Sequence, residues 1–487
     1  SRMISAISWI PKGVAKSVPS AVDPPTNEEI EKILKNGFMQ IGEENENGSD
    51  DEILDTDECH EDDELRRALS VADALGKASG SSKSESDFLT DALKELDMDN
   101  YDEEDDGVEI FGSGISNLYY PSNVMDPYLK DQNVDDSEEE EDVIIKADDS
   151  VIVCARNEDD VSHMEVWIME DTGDGNWNMY VHHDIIIPAF PLCMAWLDCP
   201  IKGGERGNFI AVGSMLPAIE IWDLDIIDQV VPSVSLGGVL KKKKKDKKLK
   251  LKYVKYKEGS HRDAVLGLAW NKEYRNILAS ASADKLVKIW DVATENCKMT
   301  LENHTDKVQA VAWNHFAPEV LLSGSFDHTV VMRDGKSPSH DGFKWSVASD
   351  VESLAWDPHS EHSFVVSLEN GTVAGFDIRT ATSDSFSESK PVFTLHAHEK
   401  AVSTVAYHSS FPNLLATGSM DKTVKLWDLS NQPTCVGSRK AKAGAVFSIS
   451  FSVDNPFVLA MGGSNGKLQV WNLVDDDEIS RRYGKYT

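Results

Sequence analysis

Cysteine is scarce in this chain, and its few copies follow no pattern. The six cysteines among 487 residues form no CxxC pair and have no regular spacing, so the sequence offers neither a disulfide framework nor a zinc-binding motif. Long apolar runs are also lacking, and the segment from Met3 to Gly13 does not have the charged-then-apolar layout of a signal peptide. These absences predict a soluble intracellular protein of a reducing compartment that does not enter membranes.

The motifs of common enzyme classes are missing too. The glycine-rich segment GGSNG at Gly462 has no lysine of a phosphate-binding loop. The neighbouring His182 and His183 are of a metal-binding residue type, but adjacent residues of a strand point to opposite faces. We therefore expect one of them to mark the loop into the next structural unit. The sequence predicts no catalytic residue, no metal site, no cofactor and no small-molecule substrate.

Charge is distributed unevenly along the chain. Residues 17–142 contain 39 acidic and 8 basic residues, an excess of 31 negative charges within a formal net charge of -36. Residues 241–257 contain 11 lysines and one aspartate. The acidity of the protein therefore belongs to one segment and is not a property of the whole folded body.

A repeated segment dominates the rest of the sequence. Each copy begins with an alternating apolar strand that ends in an aromatic residue, as in VLGLAWN at Val265 and VQAVAWN at Val308, and these aromatic positions recur 43 to 51 residues apart. Each copy continues with a middle strand such as LASASAD and a strand such as KIWD, which ends at Asp291. Short strands at such a period are typical of a WD-repeat β-propeller, whose blades bury their faces against each other.

Seven copies are present, and the first is interrupted. ISAISWI, from Ile4 to Ile10, matches the first strand of the other copies, but its partner strands begin only at Val151, after the acidic segment. Closing a loop costs free energy that rises only logarithmically with loop length, so such an insertion is tolerable. The tail from Asp477 is expected to supply or cap the last outer strand.

We therefore predict an all-β fold, a seven-bladed WD-repeat β-propeller with a largely disordered acidic insertion in its first blade. Residues 1–11 are the N-terminal strand that completes blade one. Residues 12–142 are the insertion, mostly disordered with short helices. Residues 143–487 form the WD-repeat propeller and include a lysine-rich loop at 241–257.

Serine or threonine, histidine and aspartate recur together at fixed offsets in three copies. A Ser-His-Asp hydrolase needs one such set in a cleft with an oxyanion hole, so repetition favours an architectural role. In WD-repeat proteins this arrangement forms a hydrogen-bonded tetrad with the tryptophan of the WD strand. Resemblance to them assigns the candidate tetrad residues His261, Ser280, Asp284 and Trp290; His304, Ser323 and Asp327; and His398, Thr417, Asp421 and Trp427. The second set has Arg333 where the tryptophan belongs.

The acidic insertion contains two short stretches with helical patterns, TNEEIEKILKNGF at Thr26 and FLTDALKEL at Phe88. The tracts around them are too acidic to form a core. Both an interaction arm for basic partners and a solubilising spacer fit this composition, and the arm is favoured. Ser49 and Ser137 precede acidic triplets, which makes them candidate phosphorylation sites of a phosphoprotein.

The lysine-rich loop falls between the predicted blades two and three. A nuclear-import signal, a salt-dependent contact with RNA and an inert solvated loop all fit its composition, and a nuclear address is favoured. An acidic arm folded back onto the loop would mask it. The candidate residues of this basic loop are Lys241, Lys242, Lys243, Lys244, Lys245, Lys247 and Lys248.

Several segments, taken in order, resemble the periodic tryptophan protein 1 family. They are SRMISAISWIPKGVAK, LDMDNYDEED, MEVWIMED with NWNMYVHHDI, and IEIWDLDIID with the lysine-rich loop behind it. The resemblance covers nearly the whole chain and implies a eukaryotic protein of the nucleus, mainly of the nucleolus. It also implies ribosome biogenesis, through ribosomal RNA synthesis and processing, and chromatin binding. The implied partners are ribosome assembly factors, ribosomal proteins and histones, with RNA as a further candidate.

The leading hypothesis is therefore a non-catalytic nucleolar scaffold, and two other classes remain open. A substrate receptor of a cullin-based ubiquitin ligase is the alternative, because FDIR, ending at Arg379, resembles the WDxR box of such receptors without its tryptophan. In that case substitution of Arg379 abolishes binding to the ligase adaptor. A hydrolase predicts that Ser280→Ala removes activity at unchanged stability, whereas a structural role predicts destabilisation by about 1 kcal/mol.

Overall fold

The computed structural model describes residues 2–21, 143–159, 161–173, 176–240, 254–335, 342–380 and 390–484. These residues form seven small antiparallel sheets whose first strands contact one another in a closed ring. The predicted seven-bladed propeller is confirmed. Within these ranges, no helix has both the length and the apolar character needed to cross a membrane.

Blade one is assembled from two distant parts of the chain. From the inner to the outer edge its strands are β1 (Met3–Ile10), β3 (Ser150–Glu158), β4 (Val161–Asp171) and β5 (Trp177–Ile187). β1 pairs with β3 so that Trp9 lies opposite Ile152 and Ile10 opposite Val151. The predicted interruption of the first blade is therefore confirmed.

The chain stays attached to the propeller for ten residues beyond β1. There β2 (Ser20–Ala21) pairs in parallel with β9 (Ile226–Ile227) of blade two. On the return side, the amide of Ile145 donates to the carbonyl of Ser17 over 2.8 Å. The predicted disorder and helices of the insertion, and the candidate phosphorylation sites Ser49 and Ser137, lie outside the described residues.

Blades two to six each have four strands with the first strand innermost. Blade two contains β6 (Pro191–Leu197), β7 (Phe209–Ser214), β8 (Ala218–Asp223) and β10 (Val234–Gly237). Blade three contains β11 (Val265–Trp270), β12 (Ile277–Ser282), β13 (Val287–Asp291) and β14 (Asn296–Leu301). Blade four contains β15 (Val308–Trp313), β16 (Val320–Ser325), β17 (Thr329–Asp334) and β18 (Phe343–Ser346).

The next two blades repeat this arrangement. Blade five contains β19 (Val351–Trp356), β20 (Ser363–Leu368), β21 (Thr372–Asp377) and β22 (Phe393–His396), with a short 3-10 helix at Ile378–Thr380. Blade six contains β23 (Thr404–Tyr407), β24 (Leu414–Gly418), β25 (Thr423–Asp428) and β26 (Thr434–Lys440). The apolar side chains that alternate along these strands pack between neighbouring blades, where the core of the protein lies.

Blade seven differs from the others at its outer edge. It contains β27 (Val446–Phe451), β28 (Val458–Gly463) and β29 (Gln469–Asn472), followed by a 3-10 helix at Leu473–Asp475 and by α1 (Asp477–Tyr483). Of the two expectations for the tail, that it supplies the last outer strand or caps it, the first is wrong, because α1 is helical. Its Asp476 caps the first turn, Ile479 is buried, and the ring of Tyr483 stacks on Phe411 of blade six.

Candidate functional site

The residues of the first candidate tetrad lie in contact within blade three. His261 Nδ1 lies 2.9 Å from Asp284 Oδ2, and His261 Nε2 lies 2.7 Å from Ser280 Oγ. Because an ionised carboxylate only accepts, Nδ1 carries the proton and Nε2 accepts from the serine hydroxyl. Trp290 Nε1 donates to the same hydroxyl over 2.8 Å. The four side chains thus form one continuous chain of hydrogen bonds from indole to carboxylate.

The other two candidate sets have the same geometry. His304 lies 3.1 Å from Asp327 and 2.8 Å from Ser323, while Arg333 follows where Trp290 stands in blade three. In blade six, His398 lies 3.0 Å from Asp421 and 2.8 Å from Thr417, whose hydroxyl also accepts from Trp427 Nε1 over 3.0 Å.

Burial sets the protonation of these groups. Burial lowers the pKa of His261 and of His398, although their aspartate partners act in the opposite direction. Burial alone would raise the pKa of Asp327, but hydrogen bonds from His304, Thr329 and a backbone amide outweigh it and hold that pKa well below its ordinary value. His261 and His398 are therefore neutral and Asp327 is ionised at neutral pH.

Blade five has an apolar cluster in place of the polar tetrad. The fully buried Trp345 of β18 meets Phe364 edge-on at 5.1 Å, and Phe364 stacks on Phe376 at 5.4 Å. Phe376 occupies the position of the WD tryptophan, opposite Phe364 in the sheet. Sequence reasoning missed Trp345, because it lies on an outer strand that carries no repeat motif.

The histidine pair of blade one departs from the prediction. A β-bulge between Val166 and Trp167 of β4 leaves His182 as the extra residue of β5, so His182 and His183 do not point to opposite faces. Their Nδ1 atoms lie 2.8 Å apart, and both residues lie inside β5, not in the loop to blade two. Burial, with a smaller contribution from His182, lowers the pKa of His183 to about 4. In the described part of the chain, no three His, Cys, Asp or Glu side chains cluster as metal ligands.

One face of the propeller carries an aromatic residue at the end of each inner strand. We call it the tryptophan face, and its aromatic residues are Trp9, Trp196, Trp270, Trp313, Trp356, Tyr407 and Phe451. Trp313 Nε1 donates to the carbonyl of Ala269 and Trp356 Nε1 to that of Ala312, each in the preceding blade. Trp9 Nε1 makes the corresponding bond to Ser450 over 3.0 Å, so blades seven and one join as the interior blades do.

A second set of hydrogen bonds links the loops of this face. In blades three to seven the residue after the aromatic caps its own loop. In three of these blades it also reaches the next blade: Asn271 to Pro318, Asn314 to Glu361 and His408 to Pro456. The sequence contained this signal, since Asn or His follows the aromatic in those copies. Burial lowers the pKa of His408 to about 4, which leaves Nδ1 free to accept the amides of Ser410 and Phe411.

Blades three to six enclose a groove of about 430 Å³ on the tryptophan face. We call it the aromatic groove, and its aromatic walls are Trp270, Trp313, Trp356 and Tyr407. Lys272, Glu273 and His315 line its polar parts. Sequence periodicity located these aromatic residues but gave no indication that they share a cavity.

The two charged segments leave the propeller on opposite faces. The insertion separates the first and second strands of blade one, and this connection lies on the tryptophan face. The lysine-rich loop connects the fourth strand of blade two to the first strand of blade three, on the opposite face. Its base is a short ladder in which Leu240 donates to Lys255 and Lys257 to Gly238. Candidate residues Lys241 to Lys248 lie outside the described residues.

Arg379, the residue on which the ligase alternative depends, forms an ion pair with Asp377, the last residue of β21. Its guanidinium donates hydrogen bonds of 2.5 to 3.1 Å to the Asp377 carboxylate, and its side chain is 68% exposed.

The cysteines among the described residues are free thiols: Cys154, Cys193, Cys199, Cys297 and Cys435.

Comparison with known proteins gives matches to both the repeat and the whole chain. The model of the family "WD domain, G-beta repeat" matches residues 253–291, 295–334, 389–428 and 433–472. Periodic tryptophan protein 1 of Saccharomyces cerevisiae is 31% identical over 99% of this chain and 90% of its own length. Its Drosophila melanogaster homologue is 27% identical over 99% and 96%. An uncharacterised WD repeat-containing protein of Schizosaccharomyces pombe is 39% identical over 99% and 91%. Because these matches include the interrupted first blade, the chain belongs to the periodic tryptophan protein 1 family of WD-repeat proteins.

Proposed function

We propose that this protein is a non-catalytic nuclear scaffold, concentrated in the nucleolus, that serves ribosome biogenesis and binds chromatin. The observation that carries the proposal is the closed propeller with its acidic insertion attached on one face and its lysine-rich loop on the other. Such a body can hold a basic partner on one face and an acidic one on the other. The roles implied by the family, ribosomal RNA synthesis and processing among them, support the choice of pathway.

The Ser/Thr-His-Asp sets have a structural role in this proposal. The side chains of His261 and Ser280 are fully buried, so no substrate reaches this hydroxyl. Ser280 donates its proton to His261 and accepts a hydrogen bond from Trp290 within this buried environment. Each of the three sets links residues within its own blade, which is blade three, four or six.

The proposed partners are proteins with basic surfaces: ribosomal proteins, ribosome assembly factors and histones. The 31 excess negative charges of residues 17–142 support this choice, because they attract basic chains over distances set by the ionic strength. Phosphorylation at Ser49 and Ser137 would strengthen the attraction. The lysine-rich loop, with Lys241 to Lys245 as its densest part, serves nuclear import and adds a contact for RNA.

Affinity purification of the full chain at low and high salt tests this proposal. The matched variant has Asn and Gln in place of Asp and Glu within residues 22–142, which retains β1, β2 and the length of the chain. We expect ribosomal precursors and histones to copurify with the natural chain at low salt and to be lost from the variant. Absence of both from every sample would refute the scaffold assignment.

The nuclear address is tested separately by a fluorescent fusion. Replacing Lys241 to Lys245 by glutamine is expected to move the protein out of the nucleus, whereas replacement by arginine retains the charge and the location. Nuclear accumulation of the glutamine variant would contradict this part of the proposal. The ligase alternative is tested by comparing the binding of Arg379→Ala and of the natural chain to the ligase adaptor. The pairing of Arg379 with Asp377 argues against an adaptor contact through Arg379.

A further inference from the structure

The walls of the aromatic groove are carbon surface whose polar atoms are already bonded. Trp270 Nε1 donates to the carbonyl of Arg275 over 2.9 Å, and the indoles of Trp313 and Trp356 donate to neighbouring blades. None of these three N–H groups remains for a ligand. A ligand bound here therefore contacts ring carbons and gains little from having hydrogen-bond acceptors directed at the tryptophans.

Tyr407 lines the groove with a hydroxyl group, as Ser409 does. The Tyr407 hydroxyl makes no hydrogen bond within the described part of the chain. Burial raises the pKa of Tyr407, and the charge of Asp357 raises it further, so the hydroxyl stays protonated and can donate. The groove thus combines several apolar rings with the Tyr407 hydroxyl as a donor for a carbonyl oxygen.

The groove is also preformed. The loops that border it are held by side-chain bonds between successive blades, from Asn271 to Pro318 and from Asn314 to Glu361. A rigid groove favours a ligand that is itself rigid, because neither partner then loses much conformational entropy on binding. Its volume of about 430 Å³ lies within the range of about 300–1,000 Å³ that ligand pockets occupy.

A proline-containing extended segment has these properties. In the polyproline II conformation it has no internal hydrogen bonds, and its prolines have no N–H groups that the groove would leave unsatisfied. Its carbonyl oxygens accept bonds from tyrosine hydroxyls, and its rings pack on aromatic side chains in the known recognition mode for such segments. The aromatic rings of the groove are spread over four blades. An extended segment matches this arrangement better than a single small molecule does.

Charge decides between a peptide and a nucleic acid. Burial lowers the pKa of His315 and leaves it neutral. Lys272 and Glu273 line the groove, and Asp357 adds a negative charge close enough to raise the pKa of Tyr407. Glu273 and Asp357 repel phosphate groups and attract lysine and arginine.

We propose that the aromatic groove binds an extended proline-containing segment, flanked by lysine or arginine, of a basic protein partner. This proposal rests on the proposed scaffold function and names the chemistry of its partner. Trp270 and Trp313, which are half-buried, provide the packing surface, Tyr407 donates to a peptide carbonyl, and Glu273 attracts the basic flanks.

Binding of labelled synthetic peptides to the full chain tests the proposal. The probes are four prolines flanked by lysines, a glycine–serine peptide with the same lysines, four prolines flanked by glutamates, and a single-stranded oligouridine. We expect the proline–lysine peptide to bind at least tenfold more tightly than each of the other three. Equal binding of the glycine–serine peptide, or preferential binding of the oligouridine, would overturn the proposal.

Variants locate the binding. Trp270→Ala is expected to weaken binding of the proline–lysine peptide at least tenfold, whereas Phe316→Ala changes it less than twofold. Phe316 is a matched control, since it is 53% exposed on a loop of the same face but does not line the groove. Equal effects of the two substitutions would place the peptide elsewhere.

A third variant covers the case in which Trp270→Ala fails to fold. Glu273→Lys changes only an exposed rim residue, and we expect it to weaken the proline–lysine peptide and strengthen the proline–glutamate peptide, each at least threefold. Unchanged affinities would contradict the assignment of the groove. Binding that occurs only after deletion of residues 22–142 would instead assign the groove to this chain's own insertion. Copurification of ribosomal precursors is scored independently, so failure here is distinguishable from failure of the scaffold proposal.

Discussion

The interfaces before blade three and before blade five occupy equivalent places in the ring but are built differently. Between blades two and three, Trp290 is fully buried and its indole N–H joins the hydrogen-bonded chain of Ser280, His261 and Asp284. Between blades four and five, Trp345 is equally buried among Phe364 and Phe376, and its indole nitrogen has no hydrogen-bond partner within the described residues. At these two interfaces a large buried aromatic residue packs between the blades, and the polar tetrad is one of two ways in which it is held.

The comparison of the two interfaces shows what the tetrad adds to apolar packing. Both interfaces gain from removing apolar surface from water. Only the tetrad also fixes an orientation through directional bonds, and it makes stability depend on the protonation of histidine. Blade four, which has His304, Ser323 and Asp327 but Arg333 at the strand position of the tryptophan, lies between these two cases.

The largest expected effect is common to both interfaces. Trp290→Ala and Trp345→Ala should each lower the free energy of unfolding by about 3–5 kcal/mol, because each leaves a cavity where an indole was fully buried. Urea denaturation of both variants measures this, with Phe316→Ala as an exposed control that changes stability by less than about 0.5 kcal/mol. A cost below about 1 kcal/mol for Trp345→Ala alone would show that the apolar interface does not substitute for the tetrad.

The next effect is a pH dependence at a third interface, between blades six and seven. His408, which bonds blade six to blade seven, has its pKa lowered to about 4 from an ordinary value of 6.5. The unfolded chain therefore binds a proton first as the pH falls, so this contribution is complete above pH 6.5 and is lost toward pH 4. The expected loss at pH 4 is about 3 kcal/mol.

Denaturation at pH 7, 6, 5 and 4 measures that loss. His408→Asn introduces asparagine, the residue type at the equivalent positions of blades three and four. Asn271 and Asn314 donate and accept the corresponding hydrogen bonds there, and an asparagine does not titrate. We expect a smaller decline in stability with acid, the remainder coming from His261 and His398, whose pKa values are also lowered. An unchanged decline would show that His408 does not control this behaviour.

The smallest effect compares a complete tetrad with an incomplete one. Ser280→Ala removes the partner of two groups, Trp290 Nε1 and His261 Nε2, and should cost about 2 kcal/mol, which is more than the sequence alone predicted because two bonds are lost. Ser323→Ala removes the partner of His304 Nε2 alone and should cost about 1 kcal/mol. Thermal and urea unfolding of the two variants give the comparison. Equal costs would mean that the indole bond adds nothing to the tetrad.

The sequence predicted most of the fold because each repeat has its own local sequence patterns. Alternation of apolar residues, the Trp-Asp strand ends and the recurring aromatics are set by each blade's own need to bury two faces. The same reasoning failed at His182 and His183, because a β-bulge depends on how β4 and β5 pair and not on the alternation within β5. It also failed at α1, whose helix is stabilised by Phe411 and other residues of blade six.

The tetrad members were identified from the sequence, but their distances were not. His261 and Ser280 are 19 residues apart, and only the pairing of β11 with β12 brings them to 2.7 Å. Trp345 carries no motif, so nothing local marks it as the replacement for a tryptophan that blade five lacks.

By itself, the sequence determined the number of blades, the interruption of the first one and the uneven distribution of charge, since all three are properties of residue order. Only the tertiary structure decided that Trp270, Trp313, Trp356 and Tyr407 share one groove, and that the two charged segments leave from opposite faces. The physical reason is that a closed ring brings the ends of its inner strands together. Residues more than forty positions apart thereby become neighbours, with no signal in any one repeat.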